Sequence, residues 1–227
     1  MKADKSARRP VGRPRANGKP PLSREAVFAT ATRLIAQHGY AGTSLRMIAQ
    51  ALDAQAPSIT QLFKTKDNLL NELVQRLAKV SLDFHEQLSH ERLAADVRLY
   101  KMLFEETRAI ASAHHDIASI FYLPELRKPQ FKAAQQERAS MIGWYRQTLD
   151  QGVQDNLFVS TNMALSAEQV FQLTETGIIA LEPALLGEPQ AQAKATADFV
   201  LRGLLRRPAR LSVIEKKARG CRLTMVD

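Results

Sequence analysis

Residues 55–66 of this 227-residue chain combine uncharged polar side chains with apolar ones, and two lysines lie at the end of the run. The polar side chains carry amide and hydroxyl groups with no evident partner nearby in the sequence. A glutamine can form two hydrogen bonds to adenine, and the methyl group of a threonine can contact thymine. The candidates for such contacts with base edges are Gln55, Ser58, Thr60 and Gln61.

Two short helices are predicted around this run. Residues 45–52 place apolar side chains at i, i+3, i+4 and i+7 after the potential cap Ser44, which predicts a helix with one apolar face. Residues 53–55 break the pattern. Pro57 suits the first turn of the next helix because its missing N–H would be unpaired there. Residues 59–63 again give that helix one apolar side, so neither helix is stable alone.

Longer helices are predicted on both sides of this pair. Ser23 can cap a first helix with apolar positions over 27–35, and Gly39 can supply its left-handed stop. Thr65 can cap a fourth helix with apolar positions over 69–80. The four apolar faces can bury one another, which leaves the polar side of the second short helix free.

Positive charge is concentrated near the amino terminus. The first 66 residues hold twelve basic and three acidic residues, so their excess of nine equals the net charge of the whole chain, +9. Such a surplus is typical of a phosphate-binding surface, and solubility is a second reason for it. The candidate phosphate contacts are Ser44, Arg46, Lys64 and Lys66, for which a solvated face is the alternative reading.

The segment 1–21 is rich in basic residues and proline and has no apolar period, which predicts a flexible arm. Its VGRPR resembles the AT-hook core, in which an extended Arg-Pro-Arg lies in a narrow minor groove. Arg13 and Arg15 are therefore candidate DNA contacts. A plain solvated tail is the alternative.

The order of four motifs is more specific than any one of them: HGY at the end of the first helix, TSLRMIAQAL, a short helix ending in LF, and KTKDNLL. On these motifs, residues 22–80 resemble the DNA-binding domain of the TetR (tetracycline repressor) family of transcription regulators. The resemblance implies a helix-turn-helix whose second helix enters the major groove of double-stranded DNA. It also implies a homodimer on a palindromic operator, released by an unknown small-molecule effector. We therefore expect a repressor, with an activator as an open alternative.

Two residues depart from the family pattern. Asp53 stands where the family usually has glycine at the turn, and Thr60 stands where it usually has a tyrosine that packs against a phosphate. Aspartate can adopt the left-handed conformation at some cost, so the turn is retained. We expect Lys64, Lys66 and the arm to replace the phosphate contact of the tyrosine.

Ala, Leu, Gln, Glu, Arg and Lys dominate the chain, which predicts an all-α fold. With the resemblance, this becomes an N-terminal three-helix helix-turn-helix DNA-binding domain plus a helical C-terminal ligand-binding and dimerisation domain. The expected divisions are a flexible basic arm over 1–21, the DNA-binding domain over 22–80, the effector-binding and dimerisation domain over 81–206, and a basic C-terminal tail over 207–227.

The resemblance also implies an effector pocket and a dimer interface. Bulky side chains of the middle helices are the pocket candidates, with ordinary core packing as the alternative: Met102, Phe104, His114, Phe121, Tyr122, Met141, Trp144 and Tyr145. The predicted last two helices, 166–185 and 191–205, resemble those that pair across the two-fold axis. Their interface candidates, for which packing within one chain is the alternative, are Val170, Phe171, Thr174, Gly177, Ile178, Leu181, Phe199, Val200, Gly203 and Leu204.

Other classes of protein fit the sequence less well. The segment GRPRANGKP has five residues between Gly12 and Gly18 and places Pro20 where a P-loop needs a hydroxyl, so no enzyme is predicted. No cofactor, metal site or membrane span is expected. The single Cys221 and the lack of an export signal indicate the cytoplasm. A sequence-independent DNA-coating or architectural protein remains the alternative function.

Overall fold

The computed structural model describes residues 22–113, 115–159, 162–179 and 186–221, and all its regular elements in these ranges are helices. The all-α prediction is confirmed. The α-helices are α1 (Arg24–Gly42), α2 (Leu45–Ala51), α3 (Ala56–Phe63), α4 (Lys66–His90), α5 (Ala95–Ser112), α6 (His115–Ile120), α7 (Lys132–Gln154), α8 (Met163–Thr174), α9 (Thr176–Ile179), α10 (Pro189–Leu204) and α11 (Leu211–Gly220). Short 3₁₀ turns lie at Pro124–Arg127, Pro129–Phe131 and Pro208–Arg210.

The helix starts agree with the capping residues in the sequence. The side-chain oxygens of Ser23, Ser44 and Thr65 each accept a hydrogen bond from the backbone N–H three residues later. Gly39 has a φ of 70° and interrupts the helical path of α1, after which one further turn leads to Gly42. These local signals fix where the amino-terminal helices begin and end.

A first hydrophobic core, here called the head core, holds α1 to α4 together. Its buried side chains include Val27, Ile35, Ile48, Ile59, Phe63, Leu69 and Leu73. Ile120, Phe131 and Ala134, which follow much later in the chain, also belong to it. The head is therefore closed by the end of α6 and the start of α7, beyond the residues of the predicted DNA-binding domain.

A second core, the body core, is built around α5. The side chains of Leu99, Tyr100 and Leu103 are fully or almost fully buried there against α7, α8, α10 and α11. The helix α4 belongs to both cores, because Leu73 lies in the head core and Phe84 in the body core. The predicted division at residue 80 consequently falls inside a continuous helix.

The predicted tail over 207–227 is corrected for its described part. Residues Leu211–Gly220 form α11, whose side chains Leu211, Ile214 and Ala218 are buried against α5. Their i, i+3, i+7 spacing is the helical signal that the basic charge of the segment obscured. Arg210 anchors this helix through a 2.8 Å ion pair with the fully buried Asp96. None of the helices in the described part of the chain is long and apolar enough to cross a membrane.

Candidate nucleic-acid interface

A tight turn joins α2 to α3 and sets the two helices against the head core. Asp53 has a φ of 49°, so the aspartate adopts the left-handed conformation where the family pattern has glycine. Ile48 and Ala49 of α2 and Ile59 and Phe63 of α3 are buried. The apolar faces of both short helices are thus used in intramolecular packing, and each helix has only its other side available.

The opposite side of α3 carries the predicted base-reading residues. Gln55, Thr60 and Gln61 are exposed, and Ser58 is half-buried. The Thr60 hydroxyl donates to the Ala56 carbonyl oxygen at 3.1 Å, so its proton is used within the helix while its methyl group and oxygen lone pairs remain available. The structure brings all four predicted side chains to one short helix and its start.

Arg24 is a positioning residue that the sequence analysis did not identify. Its Nη1 donates to the Leu62 carbonyl oxygen at 3.2 Å near the end of α3, and its guanidinium lies 4.4 Å from the centre of the Phe63 ring. The same guanidinium pairs with the Glu72 carboxylate on α4. A cation at the carboxyl end of a helix is favourable, so Arg24 ties the end of α3 to α1 and α4.

Lys66 has an internal role that differs from the predicted phosphate contact. Its Nζ donates to the carbonyl oxygens of Tyr40 at 2.5 Å and Thr43 at 2.6 Å, and it lies 4.2 Å from the centre of the Tyr40 ring. The Tyr40 hydroxyl bonds to Asp67, and burial together with this bond raises the pKa of Tyr40. Because the ammonium already satisfies the end of α1, Lys66 joins α1 to α4.

The other predicted phosphate contacts are placed differently. Arg46 on α2 and Lys64 after α3 are exposed, and Lys64 has a φ of 46°. Ser44 is exposed and accepts from the Met47 N–H at 3.2 Å, so its hydroxyl proton is free to be donated outward. Arg13 and Arg15 lie outside the described residues.

The predicted effector-pocket residues do not converge on one cavity. Met102 and Trp144 line a small cleft between α4, α5 and α7. Phe104 and Met141 pack against the body core, whereas Phe121 packs against the head core. Tyr122 donates to Glu175, Tyr145 is fully buried, and His114 lies outside the described residues. Core packing, the alternative for these residues, describes Phe104, Met141, Phe121 and Tyr145.

A buried polar network lies beneath the cleft and was missed in the sequence. The Glu106 carboxylate accepts from the hydroxyls of Ser81 and Tyr145, both at 2.6 Å, and lies 2.5 Å from His85 Nε2. Burial opposes the charge of Glu106, but the pKa of this carboxyl is lowered because His85, Ser81 and Tyr145 together outweigh desolvation. Burial and the adjacent carboxylate raise the pKa of Tyr145.

Five of the ten predicted dimer-interface residues are internal. The side chains of Val170, Phe171, Thr174, Val200 and Leu204 are buried within the single chain, in agreement with the alternative of packing within one chain. Val170, Phe171, Val200 and Leu204 belong to the body core.

The outer faces of α8 and α10 present different residues. Phe199 is 70% exposed, Gly203 is exposed, and Leu165, absent from the predicted set, is 53% exposed. Gly177 is half-buried; the side chain of Ile178 and all of Leu181 lie outside what the structure describes.

Comparison with known proteins agrees with this geometry. Residues 27–73 match the model of a family described as bacterial regulatory proteins, tetR family. This segment of the chain is therefore similar to the DNA-binding domain of tetR-family regulators. The matched residues contain α2, the turn at Asp53, α3 and the start of α4, so the family model covers the helix-turn-helix itself.

Several solved structures share the fold over most of the chain. Mycobacterium smegmatis AmtR is 24% identical, with 93% of this chain and 100% of that chain covered and a TM-score of 0.69. The ketosteroid transcriptional regulator KstR2 of Mycobacterium tuberculosis is 18% identical, with 85% and 100% covered and a TM-score of 0.71. AibR, in complex with isovaleryl coenzyme A and operator DNA, is 16% identical, with 78% and 96% covered and a TM-score of 0.66. At these identities the likeness establishes the fold, and the comparison with curated protein sequences gives no match.

Proposed function

We propose that this chain is a transcriptional repressor of the TetR family that binds a palindromic operator in double-stranded DNA as a homodimer. The observation that carries the proposal is the division of α3 into two sides. Ile59 and Phe63 are buried in the head, whereas Thr60 and Gln61 are exposed on a helix short enough to enter a major groove. Polar groups left free on such a helix are suited to base edges.

The contacts with DNA divide into two kinds. Ser44, Arg46 and Lys64, together with Arg13 and Arg15, position the head on phosphates. Gln55, Ser58, Thr60 and Gln61 contact base edges. Phosphate contacts supply affinity for any sequence, so the preference for one operator depends on the second group.

Dimerisation is supported by the apolar side chains that one chain leaves in water. Phe199 on α10 and Leu165 on α8 are 70% and 53% exposed, respectively. A two-fold interface would bury each of these side chains against the same helices of a partner. Two recognition helices spaced about 34 Å apart, or a small multiple of that, would then meet the two halves of a palindrome.

Release by a small molecule is proposed by analogy with relatives. AibR was solved with both isovaleryl coenzyme A and operator DNA, and KstR2 is described as a ketosteroid regulator. For this chain we assign a flexible arm to residues 1–21, DNA binding to 22–80, and effector binding and dimerisation to 81–206. We also propose that the protein is cytoplasmic. A ligand that prefers a dimer with displaced recognition helices would lower operator affinity, typically through a coupling of about 1–3 kcal/mol.

Selection of bound fragments from random DNA by the purified full chain tests the proposal. We expect a palindromic consensus to be enriched. Recovery of fragments with no shared sequence would instead support a DNA-coating protein, since phosphate contacts alone carry no sequence preference.

A further inference from the structure

A small cleft opens where α4, α5 and α7 meet. Its accessible space is about 60 Å³, and its lining residues are His85, Leu88, Ser89, Arg98, Met102, Trp144, Gln147 and Thr148. Since one water-sized probe occupies about 10–15 Å³, this space accepts a molecule of only a few non-hydrogen atoms.

The one permanently charged side chain of the cleft lining favours an anion. Arg98 and His85 are the ionisable lining residues, and the described lining includes no acidic side chain. One nitrogen of Arg98, Nη2, donates to the Glu91 carbonyl oxygen at 3.1 Å. Its Nε is buried and has no hydrogen-bond partner among the described residues. Among the described residues the guanidinium makes one hydrogen bond, to the Glu91 carbonyl oxygen, and a carboxylate is the ligand that this planar group pairs with best.

The buried network also holds two residues of the cleft lining, His85 and Trp144. The His85 ring lies 2.5 Å from Glu106 through Nε2 and is stacked on Trp144 at an interplanar angle of 16°. Because Ser81 and Tyr145 also donate to Glu106, its negative charge is satisfied beneath the cleft. Arg98 is therefore the cation that a ligand in the cleft would meet, whereas the Glu106 carboxylate is held beneath the cleft by its own partners.

The remaining lining residues determine what the rest of the ligand can be. Leu88, Met102 and the face of Trp144 are apolar, which suits a short hydrocarbon group. The Thr148 hydroxyl is already used, since it donates to the Trp144 carbonyl oxygen at 3.0 Å. The cleft thus combines one cationic group, a small apolar surface on Leu88, Met102 and Trp144, and the polar side chains of Ser89 and Gln147.

We propose that this cleft binds a small organic carboxylate, with the carboxylate on the Arg98 guanidinium and the hydrocarbon against Trp144 and Met102. Binding of the anion depends on the cleft alone. Its role as the effector that changes operator affinity rests on the proposed function.

Trp144 is the only tryptophan of the chain, so its fluorescence reports directly on the cleft. The full-length protein is titrated at constant ionic strength with butyrate, butan-1-ol and inorganic phosphate. We expect butyrate to change the emission saturably. Both other probes should bind at least about tenfold more weakly, because butan-1-ol lacks the carboxylate and phosphate lacks the hydrocarbon group. Equal binding of butyrate and butan-1-ol, or no saturable change with butyrate, overturns the proposal.

Substitution of Arg98 separates specific pairing from general charge. Arg98→Gln should weaken butyrate binding about tenfold or more. Arg98→Lys, which keeps the charge without the planar fork, should bind butyrate with an affinity between those of the wild-type protein and Arg98→Gln. Arg146→Gln is the matched control, because Arg146 lies on α7 with a 61% exposed side chain, pairs with Asp150 and is absent from the cleft lining. Unchanged binding in Arg98→Gln, with thermal unfolding confirming a folded variant, contradicts the assignment.

The same samples are tested for binding to the selected operator. Butyrate binding without any effect on operator affinity leaves the carboxylate site intact and rejects only its role as effector. Loss of sequence-specific DNA binding in every sample rejects the proposed function while the fluorescence result stands independently. The failure of one proposal can therefore be distinguished from the failure of the other.

Discussion

The Tyr122 hydroxyl donates a 2.6 Å hydrogen bond to Oε2 of Glu175. Burial and this bond raise the pKa of Tyr122, so its proton stays in place at any physiological pH. Arg138 binds the same carboxylate with a 3.0 Å contact to Oε1. Phe121, the residue before Tyr122, packs on the head core. Two adjacent residues thus connect the head to the end of α8 in the body.

Removal of this connection should lower the free energy of unfolding, by a smaller amount when Tyr122 is changed than when Glu175 is changed. Tyr122→Phe loses one hydrogen bond and should lower the free energy of unfolding by about 1 kcal/mol. Glu175→Ala should cost more, because Tyr122 and Arg138 then both lose their partner. Urea unfolding measures both effects. Glu168→Ala, at an exposed position on α8, is the control, and an equal loss for Glu175 and Glu168 would contradict the connection.

Substitution by alanine should weaken DNA binding at Lys64 and lower thermal stability at Lys66. Lys64 is exposed beside α3, so Lys64→Ala should weaken DNA binding and reduce the salt slope of the affinity by about one, with stability unchanged. Lys66→Ala removes the donor to the Tyr40 and Thr43 carbonyl oxygens and should lower the melting temperature. Salt-dependent binding and thermal unfolding are measured on both variants; identical salt slopes and melting temperatures would reject the distinction.

Gln61 should determine a base preference. Gln61→Ala is expected to relax selection at one position of the operator, because a bidentate contact to a base discriminates by about 1–3 kcal/mol. Repeating the fragment selection with this variant gives the measurement. Lys64→Ala serves as the comparison, since loss of a phosphate contact should weaken all sequences equally. A uniform loss for Gln61→Ala would remove it from the base-reading group.

Phe199 should be required for the dimer. Phe199→Glu places a charge at the centre of the proposed interface and should shift the protein towards the monomer, with a parallel loss of operator affinity. Sedimentation velocity gives the oligomeric state. Val213→Glu is the matched control, because Val213 is a 52% exposed apolar residue on α11, outside that interface. Equal behaviour of the two variants would assign dimerisation to another surface.

Glu106 should contribute to stability in a pH-dependent manner. The pKa of this carboxyl is lowered in the folded protein, so its contribution is complete above the ordinary value of 4.5 and is lost as the pH falls from there through the lowered pKa. Glu106→Gln removes this titration and should flatten the stability curve in that acidic window. Urea unfolding between pH 3 and pH 7 makes the comparison, and an unchanged acidic slope would refute the role of Glu106.

Much of the head could be predicted from the sequence because its signals are local. The caps Ser23, Ser44 and Thr65 depend on residues only a few positions away, and their positions agree with the structure, whereas Gly39 interrupts α1 and the helix continues to Gly42. The turn at Asp53 likewise follows from the short break between two apolar periods.

The misassigned residues depend on contacts between distant parts of the chain. Lys66 differs from Lys64 only because the end of α1 folds back onto α4 and places two carbonyl oxygens beside it. Phe199 and Val200 are adjacent in one apolar stretch, yet one is exposed and the other is buried in the body core. Composition and spacing cannot distinguish such neighbours where a helix is apolar on more than one side.

The central claim is that the exposed sides of α3 in the two chains of a dimer bind the two halves of a palindromic operator. The most direct measurement is the affinity of the purified protein for the selected operator and for a scrambled duplex of the same length, across a range of salt concentrations, with the stoichiometry determined in parallel. The account predicts two chains per palindrome and a preference for the operator that persists as salt rises. Equal affinities for the two duplexes, falling together with salt, would contradict it.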